Sequence, residues 1–172
     1  NADIWAKVIW GDIGQPELLA NDLNENYNIQ LNDLLNVRTF LDHNRIWENP
    51  KTKAPNRWSA STGAFAFRGQ RIANNEVEDN LLEHLKKWSP YVAKYGLLLI
   101  ELHTISPELT AKNLGKTAAT AYDATHGFSD QYIVEIDVLH KIAAEAGLHP
   151  DEKLFHKFPN TEYATVSINL LK

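Results

Sequence analysis

Leu97-Leu98-Leu99-Ile100-Glu101-Leu102-His103-Thr104 decides the fold. The run from Leu97 to Leu102 reads as a central strand, apolar on both faces, as a strand of a covered parallel sheet must be. It closes on a polar pair, His103 and Thr104. Downstream lies Ala124-Thr125-His126-Gly127-Phe128-Ser129-Asp130-Gln131-Tyr132, a polar, glycine-hinged turn that feeds a periodic segment. A strand end and a helix start would then face one pocket and bring His103, His126 and Gln131 to it. Open α/β sheets place their chemistry there.

Working outward, the pattern alternates. Trp5 to Trp10 is a β-branched, apolar run that reads as a strand and stops at Gly11-Asp12-Ile13-Gly14. Pro16 suits the first turn of a helix, with Leu18, Leu19 and Leu23 on one face and Asn24 to Asn28 closing it. Leu35 to Leu41 reads as the next strand and ends at Asp42-His43-Asn44-Arg45. Residues 46–75 are irregular, punctuated by Pro50, Pro55, Gly63 and Gly69 and interleaved with aromatics. A helix follows from Asn75 to Tyr95, with Asn75 as cap, Val77, Leu81, Leu82, Leu85 and Trp88 as its apolar stripe, and Gly96 as its stop. Residues 105–128 read as a second irregular insert. Ser129 to Ala146 is expected to be a helix capped by Ser129, although Tyr132 to Val138 alone would pass for a strand. Lys153–Phe158 and Tyr163–Leu171 are the last two strands. The resulting order predicts an α/β fold with a mostly parallel sheet. The short final connection makes the last strand antiparallel.

Bulk properties exclude several classes. The 172 residues fit one domain. A net charge of −5 with no basic cluster gives no nucleic-acid footprint; Lys86-Lys87 reads as a solvated helix face. The absence of cysteine removes disulfides, zinc–thiolate sites and thiol nucleophiles. No apolar run approaches the ~18 residues of a membrane span, and no signal peptide opens the chain. The expected location is cytoplasmic.

Three βα units and a closing antiparallel strand resemble the second half of a class I S-adenosylmethionine-dependent methyltransferase, a Rossmann-like sheet. More specifically, Glu101-Leu102-His103-Thr104, Ala121 to Tyr132 and Ala164-Thr165-Val166-Ser167-Ile168-Asn169 resemble the metal-dependent C-methyltransferase domains of apratoxin-type polyketide synthase loading modules of bacterial secondary metabolism. The resemblance covers most of residues 3–172. Asn1-Ala2 reads as a cloning scar. The fold's first strand and glycine-rich cofactor loop are missing upstream, so the expectation is a partial domain, inactive in isolation.

The resemblance implies S-adenosylmethionine as cofactor. It also implies a divalent metal, manganese or iron(II), held by His126 and Gln131. These two are five residues apart and converge only if Gly127 bends the chain. The bland alternative has His126 capping a neighbour and Gln131 in solvent. Asp12 and Ile13 fall where the family contacts adenosine, and Asp42 at the strand end that faces the methyl donor. His103, His43 and Arg45 are the catalytic candidates. His103 can be a base, a third ligand or a structural histidine, and Arg45 can pair with a substrate carboxylate or with its own turn. Asp42 can orient a histidine, and Asp123 is a further ligand candidate. His149, Glu152 and His156 do not converge. His84 and His140 read as ordinary surface or interface residues.

The implied reaction is C-methylation of a malonyl-type thioester on an acyl carrier protein, with neighbouring synthase domains as partners. The competing readings are an inactive methyltransferase-like interaction module, docking through residues 46–75, and a metal-free half acting on oxygen or nitrogen.

Overall fold

The computed structural model of the protein describes residues 4–122 and 129–172. In chain order the elements are α1 (Pro16–Tyr27), β1 (Asn36–Thr39), the hairpin strands β2 (Phe65–Phe67) and β3 (Gln70–Ile72), α2 (Asn74–Val92), β4 (Leu97–Leu102), α3 (Pro107–Lys112), α4 (Ile136–Glu145), β5 (His156–Phe158) and β6 (Val166–Leu171). The main sheet has the order β1-β4-β6-β5. β1 runs parallel to β4, and β6 runs antiparallel to both β4 and β5. Three strands therefore share one direction, and the last strand opposes them, as the short final connection requires.

One face of this sheet carries the core. Leu97 and Leu99 of β4 and Leu171 of β6 pack under Val77, Leu81, Leu85 and Trp88 of α2 and under Val138, Leu139 and Ile142 of α4. Strand periodicity sends alternate residues to that face, so β4 buries Leu97, Leu99 and Glu101, and β6 buries Ser167, Asn169 and Leu171. Glu101 stands opposite Ser167, and Leu99 opposite Asn169. The buried face is thus apolar toward the start of β4 and polar toward its end. Truncating Leu99, which has no exposure, would cost about 2–5 kcal/mol.

Local signals explain most boundaries. Pro16 opens α1 and Asn28 closes it in the left-handed conformation, φ 53°. Gly96 lies at φ +97°, where an added Cβ would meet Leu170 Cδ1 at 2.7 Å and the Leu171 carbonyl oxygen at 3.0 Å. Only glycine turns the chain from α2 into β4 there.

Four expectations are corrected. Residues 5–10 form no strand; Trp5, Val8 and Trp10 are 68%, 95% and 81% exposed. Local β propensity makes a strand only where a neighbour supplies a ladder, and among the described residues β1 pairs with β4 alone. The helix expected from Ser129 begins at Ile136. Tyr132, Ile133 and Val134 are buried in succession, and tertiary partners take their backbone groups: Tyr132 N–H donates to His43 O at 2.8 Å, and Val134 O accepts from His103. The insert at 105–128 contains α3, where Pro107 follows Ser106 and the Ser106 hydroxyl accepts the Leu109 N–H at 3.3 Å. Asn75 does not cap α2. Ala73 occupies that position, and the Asn74 amide instead donates to Ser61 O and Gly63 O at 2.9 and 2.8 Å.

The irregular stretch before α2 is fastened rather than loose. Glu83 accepts the Thr52 N–H at 2.6 Å, Arg57 bridges Asp79 and Glu145 at 2.6 Å each, and Glu78 accepts the Ser59 hydroxyl at 2.6 Å and the Ala60 N–H at 3.0 Å. Carboxylates along α2 and α4 therefore hold residues 52–60 as a strap across both helices.

Candidate functional site

The polar end of the buried face meets the turn after β1. Phe40 takes φ 56° and ends the strand, and residues Asp42–Asn44 form a single 3₁₀ turn. That turn drops Asp42 and His43 inward, 2% and 3% exposed, and leaves Asn44 outside. Two histidine–carboxylate pairs result, side by side.

The first pair is His43 with Glu101. The carboxylate accepts from His43 Nδ1, from the His43 backbone N–H at 3.2 Å and from the Leu102 N–H at 2.7 Å. This fixes the imidazole proton on Nδ1 and turns Nε2 outward, where it accepts from the Asn44 amide at 3.0 Å. Asn44 Oδ1 in turn accepts from Gln131 Nε2 at 3.0 Å, and Gln131 Oε1 accepts from the Ser129 hydroxyl at 3.4 Å. The chain Glu101–His43–Asn44–Gln131 leads from a buried carboxylate to the surface with one polarity throughout.

The second pair is His84 with Asp42, at 2.9 Å, with Arg38 Nη2 at 3.1 Å from the same carboxylate oxygen. Burial by itself would raise the Asp42 carboxyl. The guanidinium of Arg38, aided by His84 and Arg45, outweighs it and holds the group down at about 2. Burial lowers His84, against the pull of Asp42. Arg38 lies over Trp88, 4.5 Å from the ring centroid. His84 is therefore no surface residue. Asp42, expected to face the methyl donor, points its charge inward at Arg38 and His84.

Arg45 is also committed internally. It donates to Asn80 Oδ1 at 2.6 Å, to Asp42 O at 2.7 Å and to Val77 O at 3.4 Å, and it lies 5.4 Å from the Tyr132 ring centroid. Burial lowers it to about 10, with Asp42 and Glu101 opposing. The free fork expected for a substrate carboxylate is occupied, so Arg45 belongs to its own turn.

His103 has no exposure. Its Nδ1–H donates to Val134 O at 3.0 Å, and its Nε2 accepts from the Ser167 hydroxyl at 2.6 Å. Burial pushes it down to about 4, against the bond to Val134. With both nitrogens engaged it offers nothing to a metal or a substrate. His140, half-buried rather than exposed, donates to Asn169 Oδ1 at 2.7 Å.

Asp12 and Ile13 form a turn docked on α2. The Asp12 carboxylate accepts the Gly14 N–H at 2.7 Å and Gln15 Nε2 at 3.0 Å, and Ile13 O accepts the Trp88 indole N–H at 2.7 Å. A cavity of about 130 Å³ lies between this turn, Arg45, Asn80 and His84. Of the three residues expected to meet the cofactor, Asp12 lines this space, and Ile13 and Asp42 are not among its lining residues. Gln131 is half-buried beside Asn44. His126 and Asp123 lie outside the described residues, and among the described residues no group of three metal-binding side chains converges.

Sequence reasoning passed over Glu101, Asn44, Ser167 and Asn169 as site residues. A carboxylate inside an otherwise apolar central strand was a usable signal, since such a group is buried only with partners. Nothing local marked Asn44.

A mixed α/β sheet with polar strand ends, a reversed last strand and helices over its core defines a methyltransferase-like fold. The chain belongs to the AprA MT2-like domain family, whose model matches residues 1–169. No curated protein matches it. Among the described residues, no helix is long and apolar enough to cross a membrane.

Proposed function

We propose that this chain is the catalytic part of an S-adenosylmethionine-dependent C-methyltransferase acting on a malonyl-type thioester carried by an acyl carrier protein of a polyketide synthase. The observation that carries this reading is the chain Glu101–His43–Asn44–Gln131 at the strand ends. Methylation at carbon needs a base, and a histidine held at Nδ1 by a buried carboxylate has the arrangement of one.

The cofactor supplies an electrophilic methyl group, and a divalent cation supplies Lewis acidity at the dicarbonyl oxygens. Gln131 fits a manganese or iron(II) ion, because its amide nitrogen is pinned to Asn44 and its oxygen, which accepts the Ser129 hydroxyl at 3.4 Å, keeps a second lone pair as a neutral donor. His126 joins it from the motif alone. Asp12 and Ile13 suit the adenosine edge, because a carboxylate has about four acceptor sites and Asp12 uses two. Asp42 and Arg45 hold the turn that presents His43. The His43 Nε2 takes the α-carbon proton once the substrate displaces the Asn44 amide, and the Glu101 carboxylate stabilises the imidazolium that forms. His103 takes no part in proton transfer.

Mass spectrometry tests this, on the chain within its native polypeptide. A malonyl-loaded carrier is incubated with S-adenosylmethionine and manganese or iron(II). The expected result is a mass gain of one methyl group per transfer, lost in His43→Ala. Metal analysis should find a stoichiometric divalent ion that Gln131→Ala weakens. An unshifted carrier under all conditions contradicts the reaction, and a bound but unmodified carrier would point to an interaction module.

A further inference from the structure

We propose that His103 is a positioning residue, and that Ser167, Asn169 and His140 form the device that aims it at the Gln131–Val134 segment. Asn169 Nδ2 donates to Ser167 Oγ at 2.7 Å. The one hydroxyl proton of Ser167 is thereby directed to His103 Nε2, 2.6 Å away. That leaves the His103 proton on Nδ1, facing Val134 O at 3.0 Å. At the far end, His140 Nε2 donates to Asn169 Oδ1 at 2.7 Å. Every link agrees with the Nδ1 proton that the Val134 carbonyl requires, so the network holds the His103 ring from its other nitrogen.

His103, Ser167 and Asn169 have no exposure. Apolar residues of the same shape would serve stability about as well, because the net gain from a buried hydrogen bond is only about 1 kcal/mol. What the polar version adds is a fixed direction. The segment it grips has no ladder or helix of its own. Three hydrogen bonds tie it to the strand ends: Gln131 Nε2 on Asn44 Oδ1 at 3.0 Å, Tyr132 N–H on His43 O at 2.8 Å, and Val134 O on His103 Nδ1. Two of those partners are His43 and its neighbour Asn44. The third ties the segment to β6 through Ser167. His43 is tied to the sheet directly by Glu101, and the Gln131–Val134 segment that packs against it is tied to the same sheet through His103. Sub-ångström placement of such groups is what determines rate.

This inference rests on the role proposed for His43, so the test carries one readout that does not depend on methyl transfer. Ser167→Ala removes the donor at His103 Nε2 and lets the ring shift, while Val134 O still requires the proton on Nδ1. It is expected to lower the methyl-transfer kcat by roughly 10–100-fold, with little change in KM for S-adenosylmethionine. It should also speed hydrogen exchange at the Tyr132 amide while leaving α2 amides protected. His103→Asn keeps an N–H near the Nδ1 position and should retain more kcat and more Tyr132 protection than His103→Gln, which keeps only the Nε2 side. Unchanged kcat and unchanged Tyr132 exchange in Ser167→Ala overturn the proposal, as does an equal loss in both His103 variants. If the unsubstituted chain transfers no methyl group, the functional reading fails, and the Tyr132 exchange still decides the positioning.

Discussion

His43 and His103 differ in one respect that decides what each can do. Both are buried at the ends of neighbouring parallel strands. His43 has a carboxylate on one nitrogen and an exposed, displaceable amide on the other. His103 has a backbone carbonyl on one nitrogen and an unexposed hydroxyl on the other. A histidine becomes a base when one nitrogen is held and the other can be uncovered. It becomes a strut when both are held from within. Burial alone does not separate the two; the exposure of the group on Nε2 does.

The largest difference is expected in rate. His43→Ala, or Glu101→Gln, which keeps the shape of the carboxylate, should reduce methyl transfer by about 10²–10⁴-fold, the usual range for a general base. Carrier mass spectrometry over time measures it. A loss below tenfold in both would remove the contrast between the two histidines.

In stability the two histidines are expected to converge. His103→Ala leaves the Ser167 hydroxyl and Val134 O facing a cavity. It should cost about 2–4 kcal/mol in urea denaturation, and His43→Ala, which leaves the buried Glu101 carboxylate on two backbone N–H groups, should cost a comparable amount.

The pH dependence sharpens this further. His103 is held at about 4 when folded and returns to 6.5 when unfolded. Between these values the unfolded chain binds the extra proton, so stability rises with pH. The contribution is complete above about 6.5 and is lost as pH falls toward 4, amounting to ~3 kcal/mol over that window. Asp42, moved from 3.8 to about 2, adds a second loss below about pH 4. Denaturation midpoints from pH 7 to 4 should fall in the parent chain and fall less in His103→Asn.

The smallest effect is expected from Asn44→Ala. It uncovers His43 Nε2 and releases the Gln131 amide at a wet site. Stability should change by less than about 1 kcal/mol, and metal affinity should weaken by up to about tenfold, read by titration.

The fold was legible where local and tertiary preferences agreed. Pro16 and Asn28 bounded α1, Gly96 separated α2 from β4, and the short Pro159-Asn160-Thr161 connection set the direction of β6. It was misread where tertiary partners override local ones. Trp5–Trp10 has the composition of a strand with no ladder beside it, and Tyr132–Val134 has a helical continuation but donates and accepts elsewhere. The site shows the same division. His43 and Gln131 were visible as chemistry-bearing residues, and the contact between them runs through Asn44, which carries no signature. Arg45 and Asp42 were visible as charges. Their direction, inward toward Asn80, Arg38 and His84, depends on the turn geometry after Phe40 and on a helix that starts some thirty residues later.

The division between the two histidines is tested most directly by ¹⁵N-resolved NMR of the imidazole rings as pH is lowered from 7 to 4. The expected spectrum places the proton of both rings on Nδ1, with His103 staying neutral until about pH 4. A His103 that titrates near 6.5, or that carries its proton on Nε2, would contradict the assignment of one histidine to chemistry and the other to position.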